Sequence, residues 1–110
     1  MPQQGYLGEF EHLVLLAVLQ LGAEARAIDL RERLETDANR TVSRGALYAT
    51  LERLTQKGYL TWTVEETVPE RGGIPRRCFA ATESGLEALR KSRAAMRKLA
   101  DGLESTLGGI

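Results

Sequence analysis

The C-terminal quarter of the chain sets the strongest constraint. Thr82, Leu86, Leu89, Arg93, Met96, Ala100, Leu103 and Leu107 follow one another at alternating steps of four and three. That is the a/d repeat of a coiled-coil seam. Glu87, Lys91, Lys98, Asp101 and Glu104 fill the other faces. Thr82 is suited to cap the start of a helix, and a helix from there to about Leu107 would be roughly 39 Å long at its usual rise. A chain of 110 residues has room for one domain, and its core is too small to cover such a rod. A second copy of the chain can cover it. Leu86, Leu89, Arg93, Met96, Leu103 and Leu107 are therefore expected at the interface of a homodimer. Arg93 in that seam either snorkels or pairs with an acid of the partner.

Upstream, the pattern reads as three helices and a hairpin. Gly8 to Leu21 has a centre, Leu13 to Leu19, that is apolar on all sides. Periodicity alone does not separate a buried helix from a buried strand there. Length, Glu9 and Glu11 at the start and Gly22 at the end favour a helix, placed in the middle of the fold. Ala27, Leu30, Leu34 and Ala38 keep helical spacing among charged neighbours, which describes an amphipathic surface helix. Ser43 is suited to cap a third helix running to about Lys57, with Gly58 as its stop. Its buried stripe is Leu47, Leu51 and Leu54. Tyr59 to Glu65 alternates as a strand does, and Arg76 to Ala81 is a second strand. Between them, Glu66 to Pro75 holds Pro69, Gly72, Gly73 and Pro75 and reads as a long loop tip carrying Arg71.

The expected class is mainly α with a small β-hairpin. Three helices followed by a basic-tipped hairpin is the winged helix-turn-helix arrangement. Residues 1–81 would form the DNA-binding part and 82–110 the dimerisation helix, packed as one unit.

Charge and chemistry narrow the function. The formal net charge is zero, which argues against a purely electrostatic DNA binder but not against a local basic patch. The first 25 residues hold acids and no base, whereas Arg71 to Arg77 holds three arginines and no acid. One cysteine, Cys78, allows no internal disulfide, and His12 is the only histidine. Neither resembles a member of a nucleophile–base pair, and no acid/base pair, metal set or phosphate loop stands out, so no enzyme and no cofactor are expected. No apolar run is long enough for a membrane span, and no secretory signal is visible, which points to the cytoplasm.

The outward face of the third helix carries Gly45, Ala46, Ala49, Glu52, Arg53 and Gln56. A helix start with almost no side chains brings its backbone N–H groups close to a large anion. Ser43, Arg44 and Gly45 are therefore read as DNA-contacting rather than as an ordinary cap, with Arg44 placed for phosphate or a guanine edge. Tyr48 is expected to pack while its hydroxyl meets a phosphate. Arg53 and Lys57 stay open between phosphate contact and a solvated charge. Arg71 is expected on DNA. Arg76 and Arg77 alternate across a strand, so one of the two is expected to face DNA. Trp62 is weighed as an effector-stacking residue against a core aromatic, with the core preferred. A winged helix used only for protein–protein contact is the alternative, and it would put acids on the outward face of the third helix.

Three motifs then point to a family. Ser43-Arg44-Gly45-Ala46-Leu47-Tyr48 through Leu54, followed by Lys57-Gly58-Tyr59-Leu60, resembles the recognition-helix signature of PadR transcriptional regulators. Pro69 to Arg77 is similar to the family's wing, and Thr82-Glu83-Ser84-Gly85 to the start of its dimer helix. The resemblance covers about Leu7 to Leu103. It departs where the family usually has Tyr-Gly and this chain has Arg26-Ala27, and at Cys78 and Ala81. Arg26 in place of an aromatic is read as an added phosphate contact. The resemblance implies a homodimer on a pseudo-palindromic double-stranded operator, usually as a repressor. In some members a small aromatic or multidrug-like effector binds at the dimer interface.

Overall fold

The first helix, α1 (Glu9–Leu21), begins where the Gly8 N–H donates to Glu11 Oε1 at 3.0 Å. Gly22 ends it at φ 58°, a conformation that costs glycine little. The computed structural model describes residues 6–65 and 76–108. Within them α1 is the central element: Val14, Leu15, Ala17 and Val18 are buried. It is not enclosed all round, because Leu19 stays exposed.

After a single 3-10 turn, α2 (Ala27–Asp37) lays Leu30 and Leu34 on α1. In α3 (Arg44–Gln56) the expected stripe of Leu47, Leu51 and Leu54 is buried. The Ser43 hydroxyl caps α3 by accepting from the Ala46 N–H at 3.1 Å, which satisfies one of the orphan donors of the first turn. Gly58 then takes φ 82° and turns the chain away.

The hairpin pairs β1 (Leu60–Glu65) antiparallel with β2 (Arg76–Ala81), in register from Leu60 opposite Ala81 to Glu65 opposite Arg76. Leu60 and Phe79 root it in the core. The Phe79 N–H also donates to the Ala25 carbonyl at 2.9 Å, so the outer edge of β2 is stitched to the segment before α2. The loop expected at 66–75, with Arg71, lies outside the described residues.

The last long helix, α4 (Glu83–Ala100), is capped as expected. The Thr82 hydroxyl accepts from the Gly85 N–H at 3.0 Å and donates to the Gly58 carbonyl at 2.6 Å. Gly85 is required by contact rather than by conformation: a Cβ there would stand 2.3 Å from the Tyr59 carbonyl oxygen. Leu89 and Ser92 face the body of the same chain, and the Ser92 hydroxyl accepts from the Leu7 N–H at 3.0 Å.

The expectation of one helix to Leu107 is corrected. Asp101 is extended at ψ 131° and Gly102 takes φ 84°, so α4 stops at Ala100. A single turn, α5 (Glu104–Leu107), follows with Leu103 as its N-cap. Asp-Gly is a turn-forming pair, and here it overrides the heptad pattern that runs through it. The seam is therefore one helix of 18 residues plus a separate turn. Among the described residues no helix is long and apolar enough to cross a membrane.

Candidate nucleic-acid interface

The first turn of α3 presents few side-chain atoms. Arg44, Gly45, Ala46 and Ala49 are all exposed. Nothing lies within 4 Å of the position a Cβ would take on Gly45. Glycine in a helix interior costs about 1 kcal/mol relative to alanine, and among the described residues no packing contact accounts for glycine at this first-turn position. A helix start with so small a surface leaves its backbone N–H groups open to close approach.

Beside this turn lies a cleft of about 320 Å³, bordered by Arg44, Tyr48, Arg76, Arg77, Arg26 and the Ala27–Ile28 start of α2. Tyr48 packs against the core from its rim, as expected, and the Arg44 guanidinium sits 5.8 Å from its ring centroid. Arg76 and Arg77 alternate across β2, opposite Glu65 and Val64 respectively, and both border the cleft. Arg77 lies over Trp62 at 4.8 Å and over Phe79 at 5.7 Å, an arrangement that orients a guanidinium without neutralising it. Among the described residues no carboxylate pairs with Arg44, Arg76 or Arg77. The cleft is thus a cationic notch between two helix starts and a strand, the electrostatics that attract a phosphate backbone.

Two sequence expectations fail here. Trp62 is not a core aromatic: it is 39% exposed on the hairpin, beneath Arg77. Cross-strand alternation puts it on the same face as its buried partner Phe79, but the body covers the β2 side of the hairpin and leaves Trp62 on β1 partly open. Arg26 does not reach out for phosphate. Its Nε and Nη2 donate to Glu65 at 2.6–3.3 Å, and its Nη1 donates to Glu24 at 2.7 Å and Asp29 at 3.1 Å. These hydrogen bonds, from Glu65 first, raise the guanidinium pKa above its ordinary value.

Glu11 is the residue that sequence reading missed. Its carboxylate is almost wholly buried, accepts from the Gly8 N–H through Oε1, and accepts from Arg53 Nε at 3.1 Å and Lys57 Nζ at 2.8 Å through Oε2. Burial pushes its pKa up, but the hydrogen bonds from Lys57, Gly8 and Arg53 together hold it below the ordinary value. Arg53 and Lys57, left open between phosphate and solvent, are thereby tied at one side to α1, while each remains about half exposed. The neighbouring His12 is buried, its Nδ1 has no hydrogen-bond partner among the described residues, and burial followed by Arg93 lowers its pKa. A glutamate in a first helical turn ordinarily signals a helix start, and nothing in the spacing marks it as the anchor of another helix.

The seam residues divide. Leu89 is buried in its own chain and Leu86 is half buried, whereas Arg93, Met96, Leu103 and Leu107 are exposed. Leu99, outside the a/d series, is the most exposed large apolar residue among the described residues, at 80%.

A model of the transcriptional regulator PadR-like family matches residues 15–91. Among solved structures, a PadR family transcriptional regulator from Eggerthella lenta DSM 2243 is 29% identical, with 90% of this chain and 86% of that one covered at a TM-score of 0.66. A PadR-like transcriptional regulator from Bacillus cereus ATCC 14579 shares the fold at 22% identity and a TM-score of 0.71, covering 92% and 93%. The winged-helix DNA-binding protein F93 from STIV does so at 17% identity and 0.67, covering 89% and 98%. No protein of curated function matches the chain. The elements, the wing and the family match agree: this chain belongs to the PadR-like family of transcriptional regulators, a DNA-binding winged helix and not an enzyme.

Proposed function

We propose that the chain is a homodimeric, sequence-specific repressor that acts in the cytoplasm on a pseudo-palindromic operator. The observation that carries this reading is the bare start of α3 beside a cleft whose Arg44, Arg76 and Arg77 pair with no carboxylate among the described residues. In this reading α3 enters the major groove with Ser43, Arg44 and Gly45 foremost. Tyr48, Arg76 and Arg77 hold the adjoining backbone, and Arg71 extends that contact from the wing. Arg53 adds a backbone contact from the side that Glu11 leaves open.

Residues 82–110 supply the dimer contact. Met96, Leu99, Leu103 and Leu107 present apolar surface that a solitary chain would leave in water. Residues 1–81 supply the DNA-binding part. Two copies would place their recognition helices about 34–36 Å apart, one turn of duplex. A small aromatic effector would act at the dimer interface. The groove of about 440 Å³ between α1 and α4, lined by Leu16, Leu19, Leu86 and Arg93 among others, adjoins that interface. Trp62 offers a second aromatic surface for such a ligand, provided Arg77 swings aside.

Selection of bound duplexes from a random pool tests the reading. Enrichment of one motif with two-fold symmetry is expected. Recovery of sequences with no common motif would contradict it.

A further inference from the structure

Arg26 stands at the edge of the proposed DNA surface, yet it gives its donors to acids. Three carboxylates converge on it, from the turn before α2 (Glu24), the first turn of α2 (Asp29) and the end of β1 (Glu65). Its side chain is 17% exposed, so these contacts are only partly screened by water. The same guanidinium borders the cleft that holds Arg44, Arg76 and Arg77. Glu65 also sits directly opposite Arg76 in the strand register, at the spacing where cross-strand charges pair. The geometry therefore places Glu65 beside Arg76 and gathers Glu24 and Asp29 on the arginine at the edge of the same cleft.

We infer that Arg26 is a positioning residue for DNA binding: it sequesters Glu24, Asp29 and Glu65 so that they neither pair with the cleft arginines nor repel the phosphate backbone. Arg26 itself touches no DNA. Without it, Glu65 would be drawn to Arg76 across the strand pair, the cleft would lose a cation, and Glu24 and Asp29 would lose the guanidinium that holds them. Like charge near a polyanion weakens association, most strongly at low ionic strength. A second consequence follows from the same contacts. The acids need Arg26 only while they are charged, so a neutral side chain in place of Glu65 removes part of the need for it.

This inference rests on the proposed DNA reading, and the test separates the two. The full-length protein, Arg26→Ala, Glu65→Gln and the double variant are titrated against the same duplex at low and moderate salt. The wild type is expected to bind. Arg26→Ala is expected to lose about tenfold in affinity at low salt, with a smaller loss at higher salt as the acids are screened. The double variant is expected to recover part of that loss, and Glu65→Gln alone to stay within about threefold of the wild type. A purely structural tie between α2 and the wing gives the opposite pattern: Glu65→Gln as damaging as Arg26→Ala, and no recovery in the double variant. That pattern would overturn the inference, as would Arg26→Ala binding like the wild type. Should Arg26→Ala fail to fold, Glu65→Gln still decides between the two patterns. Absence of binding by the wild type at low salt would remove the DNA reading itself and this inference with it.

Discussion

Glu11 Oε2 and Lys57 Nζ meet at 2.8 Å although 46 residues separate them in the chain. The contact fastens the end of α3 to the beginning of α1, with Arg53 adding a second cation to the same oxygen. The C-terminal end of α3 is thus tied to α1 by a buried acid, while its first turn is closed locally by the Ser43 cap. Lys57 and Arg53 keep one side in water, which tempers the gain of each pair.

Glu11→Gln is expected to lower unfolding stability by roughly 1–3 kcal/mol near neutral pH, since it removes the charge from a hydrogen-bonded buried acceptor. The pH dependence has a definite sign. The folded pKa lies below the ordinary 4.5, so the stabilisation is complete above that value and disappears as pH falls through the folded pKa. Denaturant unfolding of wild type and variant between about pH 6 and pH 3 should show their difference shrinking with acid. A difference independent of pH would show that the carboxylate charge does not matter.

Gly85→Ala is expected to destabilise the fold by about 1–3 kcal/mol. The new methyl group would meet the backbone oxygen of Tyr59 at 2.3 Å, and that oxygen also accepts from the Thr82 N–H at 3.0 Å. Either α4 or the turn after α3 must shift. A melting temperature equal to that of the wild type would mean that the junction yields without cost.

Leu99→Glu is expected to shift the protein toward monomer. Leu99 is 80% and Met96 56% exposed on the single chain, and a carboxylate buried at a dimer seam is costly. Sedimentation at micromolar concentration reads the change. A wild type that sediments as a monomer would contradict the proposed assembly, and a variant that stays dimeric would move the interface elsewhere.

Most of the fold was legible in the sequence because local signals agreed with tertiary ones. Ser43, Gly58 and Thr82 mark helix ends by their own chemistry, and Leu47, Leu51 and Leu54 mark a buried face by spacing. The heptad misled at Asp101-Gly102, where a strong turn pair interrupts a seam that continues only as a pattern. Trp62 misled because alternation gives the face of a strand but not how far the body beneath it reaches. The arginines around the cleft were named from the sequence as residues, and the contacts they make were not legible there. Arg26 is held by Glu65, 39 positions away, and Arg53 by Glu11, 42 positions away. No periodicity links such partners, since they meet only once the chain has folded.

The central claim is that the start of α3 binds DNA by sequence. Its most direct test is a titration of the purified protein, and of Arg44→Ala, against its own upstream DNA at two salt concentrations with scrambled competitor. The account predicts specific binding that weakens with salt, and a loss in the variant worth roughly 1–3 kcal/mol, about one to two powers of ten in affinity. Equal binding of specific and scrambled DNA by both proteins, or no binding even at low salt, would contradict it.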